Sequence, residues 1–143
     1  MPVITLATDT GETDFLTGAM KGQLISAIPG AVIMDITHRL SPHNYLQASY
    51  ICKNAYNFFP PATIHIIIIN FFEKIPTHVL MAQINNQFII CPDNGILTMI
   101  AGGKPNTVAA IPMQASKNTT LLECFSFIAA AAKRIIAGEN LFT

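Results

Sequence analysis

Apolar residues along this chain fall either into short β-prone runs or into segments where they recur every three or four positions, the two periods of strands and amphipathic helices. Val3 to Ala7 is the first run, the polar stretch from Thr8 to Asp14 follows, and Leu16, Met20, Leu24, Ile25 and Ile28 then lie at helical spacing. Pro29-Gly30 ends that helix, and Ala31 to Ile36 predicts a second buried strand, completing a βαβ unit. Ser41-Pro42 has the form of an N-cap with proline at the first helical position. A second helix is predicted from there, with Tyr45, Leu46, Ser49, Cys52 and Tyr56 on one face and Phe59-Pro60-Pro61 as its stop.

Ile64 to Ile69 is apolar at nearly every position, the pattern of a strand covered on both faces, which predicts the centre of a sheet. Val79 to Ile84 and Gln87 to Cys91 flank Asn85-Asn86, a pair suited to a two-residue hairpin turn. Pro92-Asp93-Asn94-Gly95 predicts another turn, leading to Ile96, Leu97 and Ile100 and then to a strand at Thr107 to Ile111. From about Thr120 to Ala137 the alanine-rich segment carrying Leu121, Phe125, Ile128, Ala132 and Ile135 is the best helix in the chain, with Gly138 as its cap. The predicted fold class is α/β: a helix-flanked, mostly parallel sheet over residues 1–143 in one domain.

Composition narrows the function. The chain is 51% hydrophobic and only 11% charged, and its eight basic residues balance eight acidic ones, so nothing offers an electrostatic grip on nucleic acid or an anionic membrane. No run approaches the roughly 18 apolar residues of a membrane span, and Met1-Pro2-Val3-Ile4 lacks the features of a secretory leader, so a cytoplasmic location is expected. Low charge on a small domain further suggests a surface covered by a second copy of the chain or by another polypeptide. Cys52, Cys91 and Cys124 are widely spaced, without any paired motif, and read as reduced packing residues.

In open α/β sheets, ligands gather outside the carboxyl ends of parallel strands. Those ends carry Asp9 and Asp14 after the first strand, Asp35, Thr37 and His38 after the second, and Asn70 after the third. A carboxylate held there can accept hydrogen bonds from two vicinal hydroxyls, which makes Asp9 the strongest candidate for holding a ribose. The alternative is that Asp9 or Asp14 caps the following helix. His38 and His43 read as hydrogen-bonded or surface residues rather than metal ligands, His65 as a core residue, and His78 carries no pattern; no metal is expected.

Taken together, Thr8-Asp9-Thr10-Gly11, Asp14, Gly18 and Met20-Lys21-Gly22 resemble the opening of the S-adenosylmethionine hydrolase and halogenase family, which includes fluorinases and chlorinases. Asp35-Ile36-Thr37-His38, Phe59-Pro60, the strand from His65, and Pro92-Asp93-Asn94-Gly95 with Leu97-Thr98 follow in the family's order, and Ala131 to Gly138 resembles the helix that closes its N-terminal domain. The resemblance implies that Asp9 binds the ribose hydroxyls, that His43 lines the pocket, and that reacting groups follow Ile69. It also implies a second, smaller β domain, expected to be absent here, and assembly as a trimer.

Where hydrolase members carry an aspartate and an arginine, a gap-free alignment of the flanking strands puts Asn70 and Thr77, and by the same resemblance Glu123-Cys124-Phe125-Ser126 replaces the run that carries their histidine. Asn70, Thr77 and Glu123 are the catalytic-position candidates, and Asp9, Asp14, His43 and Asn70 the ligand-binding ones. The expectation is a divergent, catalytically impaired relative that retains binding of adenosine or S-adenosylmethionine and needs no cofactor. Its rivals are an active enzyme with a shifted constellation or a separate partner chain, and a structural oligomerisation domain.

Overall fold

The computed structural model describes residues 1–142. Six strands, β1 (Val3–Thr8), β2 (Val32–Thr37), β3 (Ile64–Ile68), β4 (His78–Ile84), β5 (Gln87–Pro92) and β6 (Thr107–Pro112), form one sheet in the order β2-β1-β3-β5-β4-β6. The β2-β1, β1-β3 and β3-β5 pairings are parallel, while β4 runs antiparallel between β5 and β6. The α/β class and the helix-flanked sheet read from the sequence are therefore observed, with an antiparallel insert made by the β4–β5 hairpin.

Two apolar layers sandwich the sheet. Helices α1 (Leu16–Ala27) and α4 (Leu121–Ile136) cover one face, where Met20, Leu24, Phe125 and Ile128 pack on Ile4, Leu6, Ile64, Ile66 and Ile68. Helices α2 (Tyr45–Tyr56) and α3 (Ile96–Ala101) cover the other, where Ala48, Cys52, Tyr56, Ile96 and Leu97 meet Ala7, Ile67 and Ile69. All of β3 is buried because successive side chains point to opposite, equally covered faces.

The hairpin turn is as its sequence demands: Asn85 and Asn86 have φ of 52° and 64°, the left-handed geometry that matches the twist of the flanking strands. Gly138 likewise adopts a φ of 85° just past α4. All three cysteines are free and buried.

Two expectations about helix and strand faces need correction. Helix α2 begins at Tyr45 rather than at Ser41-Pro42, because the Asn44 side chain accepts the Gln47 N–H at 3.1 Å and supplies the cap. Its buried face is Ala48, Ser49, Cys52 and Tyr56, and Leu46 is 75% exposed. Strand β2 is an outer strand whose Met34 and Asp35 face solvent, so its apolar run does not mark full burial.

His65 illustrates how the α2 face accommodates polarity. Thr5 Oγ1 lies 2.6 Å from its Nδ1, and its Nε2 donates to Gln87 Oε1 at 3.1 Å. The Gln87 amide is oriented by donating to the Tyr56 and Phe59 carbonyls, and Tyr56 stacks on the imidazole at a centroid distance of 3.6 Å. Burial pushes the His65 pKa down to about 4, so the ring is neutral at physiological pH.

Candidate functional site

The carboxyl ends of β1 and β3 meet at Asp9 and Asn70. Ladder bonding continues past β1, with the Asp9 N–H donating to the Ile68 carbonyl at 3.0 Å. Asn70 then turns the chain with a φ of 48°, a conformation asparagine tolerates better than most residues, and this aims its N–H at Asp9 Oδ2, 2.8 Å away. The Asn70 side-chain amide donates to Tyr45 Oη at 3.1 Å, and Asn94 Nδ2 donates to the Ile69 carbonyl at 2.8 Å. Residues from β1, β3, α2 and the turn before α3 are thus tied into one edge. Burial raises the pKa of Asp9, more than the backbone N–H bonds lower it.

Asn70 lines two adjoining clefts. One, of about 510 Å³, also carries Glu73, Lys74, Thr77, His78 and Asp93. The other, of about 390 Å³, carries His43, Tyr45, Glu73, Asn94 and Met99. Both volumes fall in the range of small-molecule sites.

The sequence candidates separate on this map. His43, Asn70 and Thr77 line the clefts, and Asp9 joins them through its bond to Asn70 although it lines neither. Asp14 is exposed and its Oδ1 accepts the Phe15 N–H at 2.6 Å, at the start of α1. Glu123 lies in the first turn of α4, where its N–H donates to Thr120 Oγ1 and the Thr120 hydroxyl donates back to its carboxylate, each at 3.2 Å. That reciprocal cap occupies Glu123 locally, and it lines neither cleft.

A second polar network supports the Asp9 loop. His38, only 2% exposed, stands between Thr8 Oγ1 at 2.8 Å and Asp35 Oδ1 at 2.7 Å, and Asp35 in turn accepts from Lys21 Nζ at 2.6 Å. Lys21 and His38 hold the Asp35 pKa down against the opposing effect of burial. Thr10 Oγ1 lies 2.9 Å from Thr8 Oγ1, and Thr17 Oγ1 donates to the Gly11 carbonyl at 2.8 Å. This pins both residues flanking Asp9.

Sequence reasoning missed one constellation. His78 Nε2 lies 2.8 Å from Asp93 Oδ2, and its Nδ1 lies 3.1 Å from Thr77 Oγ1, all three lining the larger cleft. The available signal was the hairpin itself: Val79 pairs with Pro92, so the next residues outward, His78 and Asp93, oppose each other. Among the described residues no group of three or more His, Cys, Asp or Glu side chains could hold a metal ion, and no helix is long and apolar enough to cross a membrane.

Comparison with known proteins agrees with the motif reading. The (R)-S-adenosyl-L-methionine hydrolase of Methanocaldococcus jannaschii is 30% identical over 111 residues, covering 71% of this chain and 40% of that protein. The hydrolase of the same name from Salinispora arenicola is 24% identical over 112 residues, covering 78% and 42%. A fluorinase of Actinoplanes sp. is 30% identical over a shorter stretch of 63 residues, 44% of this chain and 21% of that one. The crystal structure of an uncharacterized conserved protein from Thermotoga maritima superposes with a TM-score of 0.73 at 27% identity, covering 91% of this chain and 54% of that one. A conserved hypothetical protein from Thermus thermophilus shares the fold, with a TM-score of 0.76 at 20% identity and coverage of 98% and 55%. The chain therefore spans about two fifths of the hydrolases it matches and about half of these solved chains. Residues 4–142 match the SAM hydroxide adenosyltransferase N-terminal domain, and by that match the chain belongs to the S-adenosylmethionine hydrolase and halogenase family.

Proposed function

We propose that this chain binds the nucleoside half of S-adenosylmethionine, or adenosine itself, at the Asp9–Asn70 edge, and that hydrolysis by the family's reaction groups is impaired. The carrying observation is the Asp9 carboxylate. Its Oδ2 is held by the Asn70 N–H at 2.8 Å, and no side chain among the described residues donates to Oδ1. An acceptor fixed at one oxygen, with no side-chain donor on the other, suits a sugar hydroxyl. The Asp9 loop is braced from behind by the Thr8–His38–Asp35 bonds, so little ordering would accompany binding.

Impairment is supported by the neutral groups where the resemblance expects charge. Asn70 is already engaged with Tyr45, and Thr77 carries no cation. Loss of one positioned proton-handling group lowers a rate by about two to four orders of magnitude. Titration calorimetry with adenosine and with S-adenosylmethionine tests the binding half: heat is expected for at least one ligand and is lost in Asp9→Ala. Absence of heat from both at millimolar concentration refutes it. Methionine release with a kcat of about 1 s⁻¹ or more refutes the impairment half.

A second reading, an assembly component, is favoured by large apolar side chains left on the surface: Phe15, Leu46, Tyr50 and Phe58 are 68%, 75%, 67% and 90% exposed. Association into trimers is the specific form we propose. Mass measurement by light scattering across concentration decides it, and a monomer throughout refutes it.

A further inference from the structure

The larger cleft beside Asn70 contains a hydroxyl, an imidazole and a carboxylate in series: Thr77 where the resemblance expects an arginine, His78 next to it, and Asp93 in the Pro-Asp-Asn-Gly turn. Asp93 Oδ2 lies 2.8 Å from His78 Nε2, and His78 Nδ1 lies 3.1 Å from Thr77 Oγ1. We propose that Thr77, His78 and Asp93 form a proton-accepting relay that takes over base function in this cleft, with His78 as the base, Asp93 as the residue that positions it, and Thr77 as the hydroxyl that holds the attacking water. The proposal rests on the reading that Asn70 marks the reacting end of the bound ligand.

Three observations carry it. The first is the tautomer. A carboxylate has no proton to donate, so Nε2–H faces Asp93 and the lone pair of a neutral imidazole sits on Nδ1, facing Thr77. The second is location. Thr77, His78 and Asp93 line the same cleft as Asn70, with Lys74 and Glu73 as the other charged groups on its wall. On the β6 side His78 is opposed by Pro112, which brings no titratable group, and Lys104 shares only a neighbouring groove with Asp93. The third is energetic. With side chains 34% and 52% exposed, the His78–Asp93 contact lies largely in solvent, where such a pair adds little to stability. Its geometry instead leaves a basic nitrogen directed at a hydroxyl in an open cleft.

The relay matches a displacement in which the protein supplies only proton acceptance. Water attacks the ribose carbon that bears the sulfonium, and the carbon–sulfur bond breaks with its electron pair remaining on sulfur. Methionine leaves as the neutral thioether, and the ribose carbon becomes a hydroxymethyl carbon. As attack proceeds, the water proton passes to Thr77 Oγ1 while the Thr77 proton passes to His78 Nδ1, and the imidazolium later releases it to solvent. The products are adenosine, methionine and one proton, and no other reactant is consumed.

S-adenosylmethionine at saturating concentration is the probe, with methionine release followed by mass spectrometry from about pH 5 to pH 9 and binding followed separately by calorimetry. The wild type is expected to release methionine slowly, at a rate that rises with pH through a single ionisation. His78→Asn lowers that rate by about 100-fold with Kd unchanged. Asp93→Asn lowers it less and shifts the pH profile, and Thr77→Val lowers it while Thr77→Ser restores it. A wild type that binds the probe but releases no methionine, or a rate untouched in His78→Asn, overturns the relay and leaves the binding reading standing. A wild type that does not bind the probe overturns the binding reading and the relay with it. Because His78 and Asp93 lie at the exposed open end of the hairpin, matching thermal melts verify that each variant is folded.

Discussion

The backbone N–H of Asn70 donates to Oδ2 of Asp9 across 2.8 Å, joining the ends of two adjacent parallel strands through a carboxylate rather than through the ladder. One side chain thereby fixes a loop and presents an acceptor at the same edge. This bond also rules out Asp9 as the cap of α1, whose N-cap, Phe15, makes no side-chain cap bond.

Replacing Asp9 with alanine leaves the Asn70 N–H without its acceptor, at a cost of about 1–3 kcal/mol in stability. Asp9→Asn restores an acceptor but not a charge, and is expected to lie between wild type and Asp9→Ala in both chemical stability and adenosine affinity. Urea melts and calorimetry on the three proteins check the order.

Because burial raises the Asp9 pKa above 3.8, the carboxylate protonates at a higher pH in the folded chain than in the unfolded one. The folded state then binds the proton more readily, so this group's contribution to stability declines as pH rises from 3.8 through the folded pKa and is constant above it. Ligand affinity that depends on the ionised form has the opposite trend. It is expected to fall on acidification before an ordinary carboxylate would titrate, and calorimetry between about pH 4 and 7 reads this directly.

His65 dominates a separate acid response. Its pKa is 6.5 when unfolded and about 4 when folded, so below pH 6.5 the unfolded chain gains a proton that the folded chain refuses. Stability is expected to drop by about 3 kcal/mol between those two pH values, with no further loss from this residue below the lower one. Guanidinium melts at a series of pH values check the slope, and His65→Gln is expected to flatten it.

Thiol reactivity reports on the α2 layer. Burial pushes the Cys52 thiol up to about 11 and the Cys91 thiol higher still, so neither forms a reactive thiolate in the folded chain. Ellman's reagent at pH 8 is expected to leave both unmodified until denaturant is added. Rapid native labelling of either residue would contradict the packing described for β5 and α2.

Thr120 closes the N-terminus of α4, so Thr120→Ala is expected to cost about 1 kcal/mol. Glu123→Gln keeps an acceptor for the Thr120 hydroxyl and costs less. If Glu123 acts only as a cap, methionine release is the same in wild type and Glu123→Gln, and a changed rate identifies a role beyond α4.

How far the sequence could be read depended on whether the deciding interactions were local. The positive φ of Asn85 and Asn86 and the Gly138 stop behind α4 were legible because each is set by the residue's own backbone freedom. The burial of Ile64 to Ile68 was legible because an unbroken apolar run has no face that water would favour. Met34 and Leu46 were misread for the complementary reason. An apolar residue is buried only if another element covers it, and β2 has a neighbour on one side alone while α2 turns Leu46 outward.

The site shows the same division. Asp9 stood out in the sequence because an acid after the first strand of a βαβ unit must emerge at the sheet's carboxyl edge, wherever the rest of the chain goes. The family, too, was carried by the order of short motifs from Thr8 to Gly138. The pairing of His78 with Asp93 depended on the register of the β4–β5 hairpin, and the reach of Asp9 to Asn70 on β1 lying beside β3. Those distances span 15 and 61 residues of chain, and only packing both faces of the sheet brings their ends within hydrogen-bonding range.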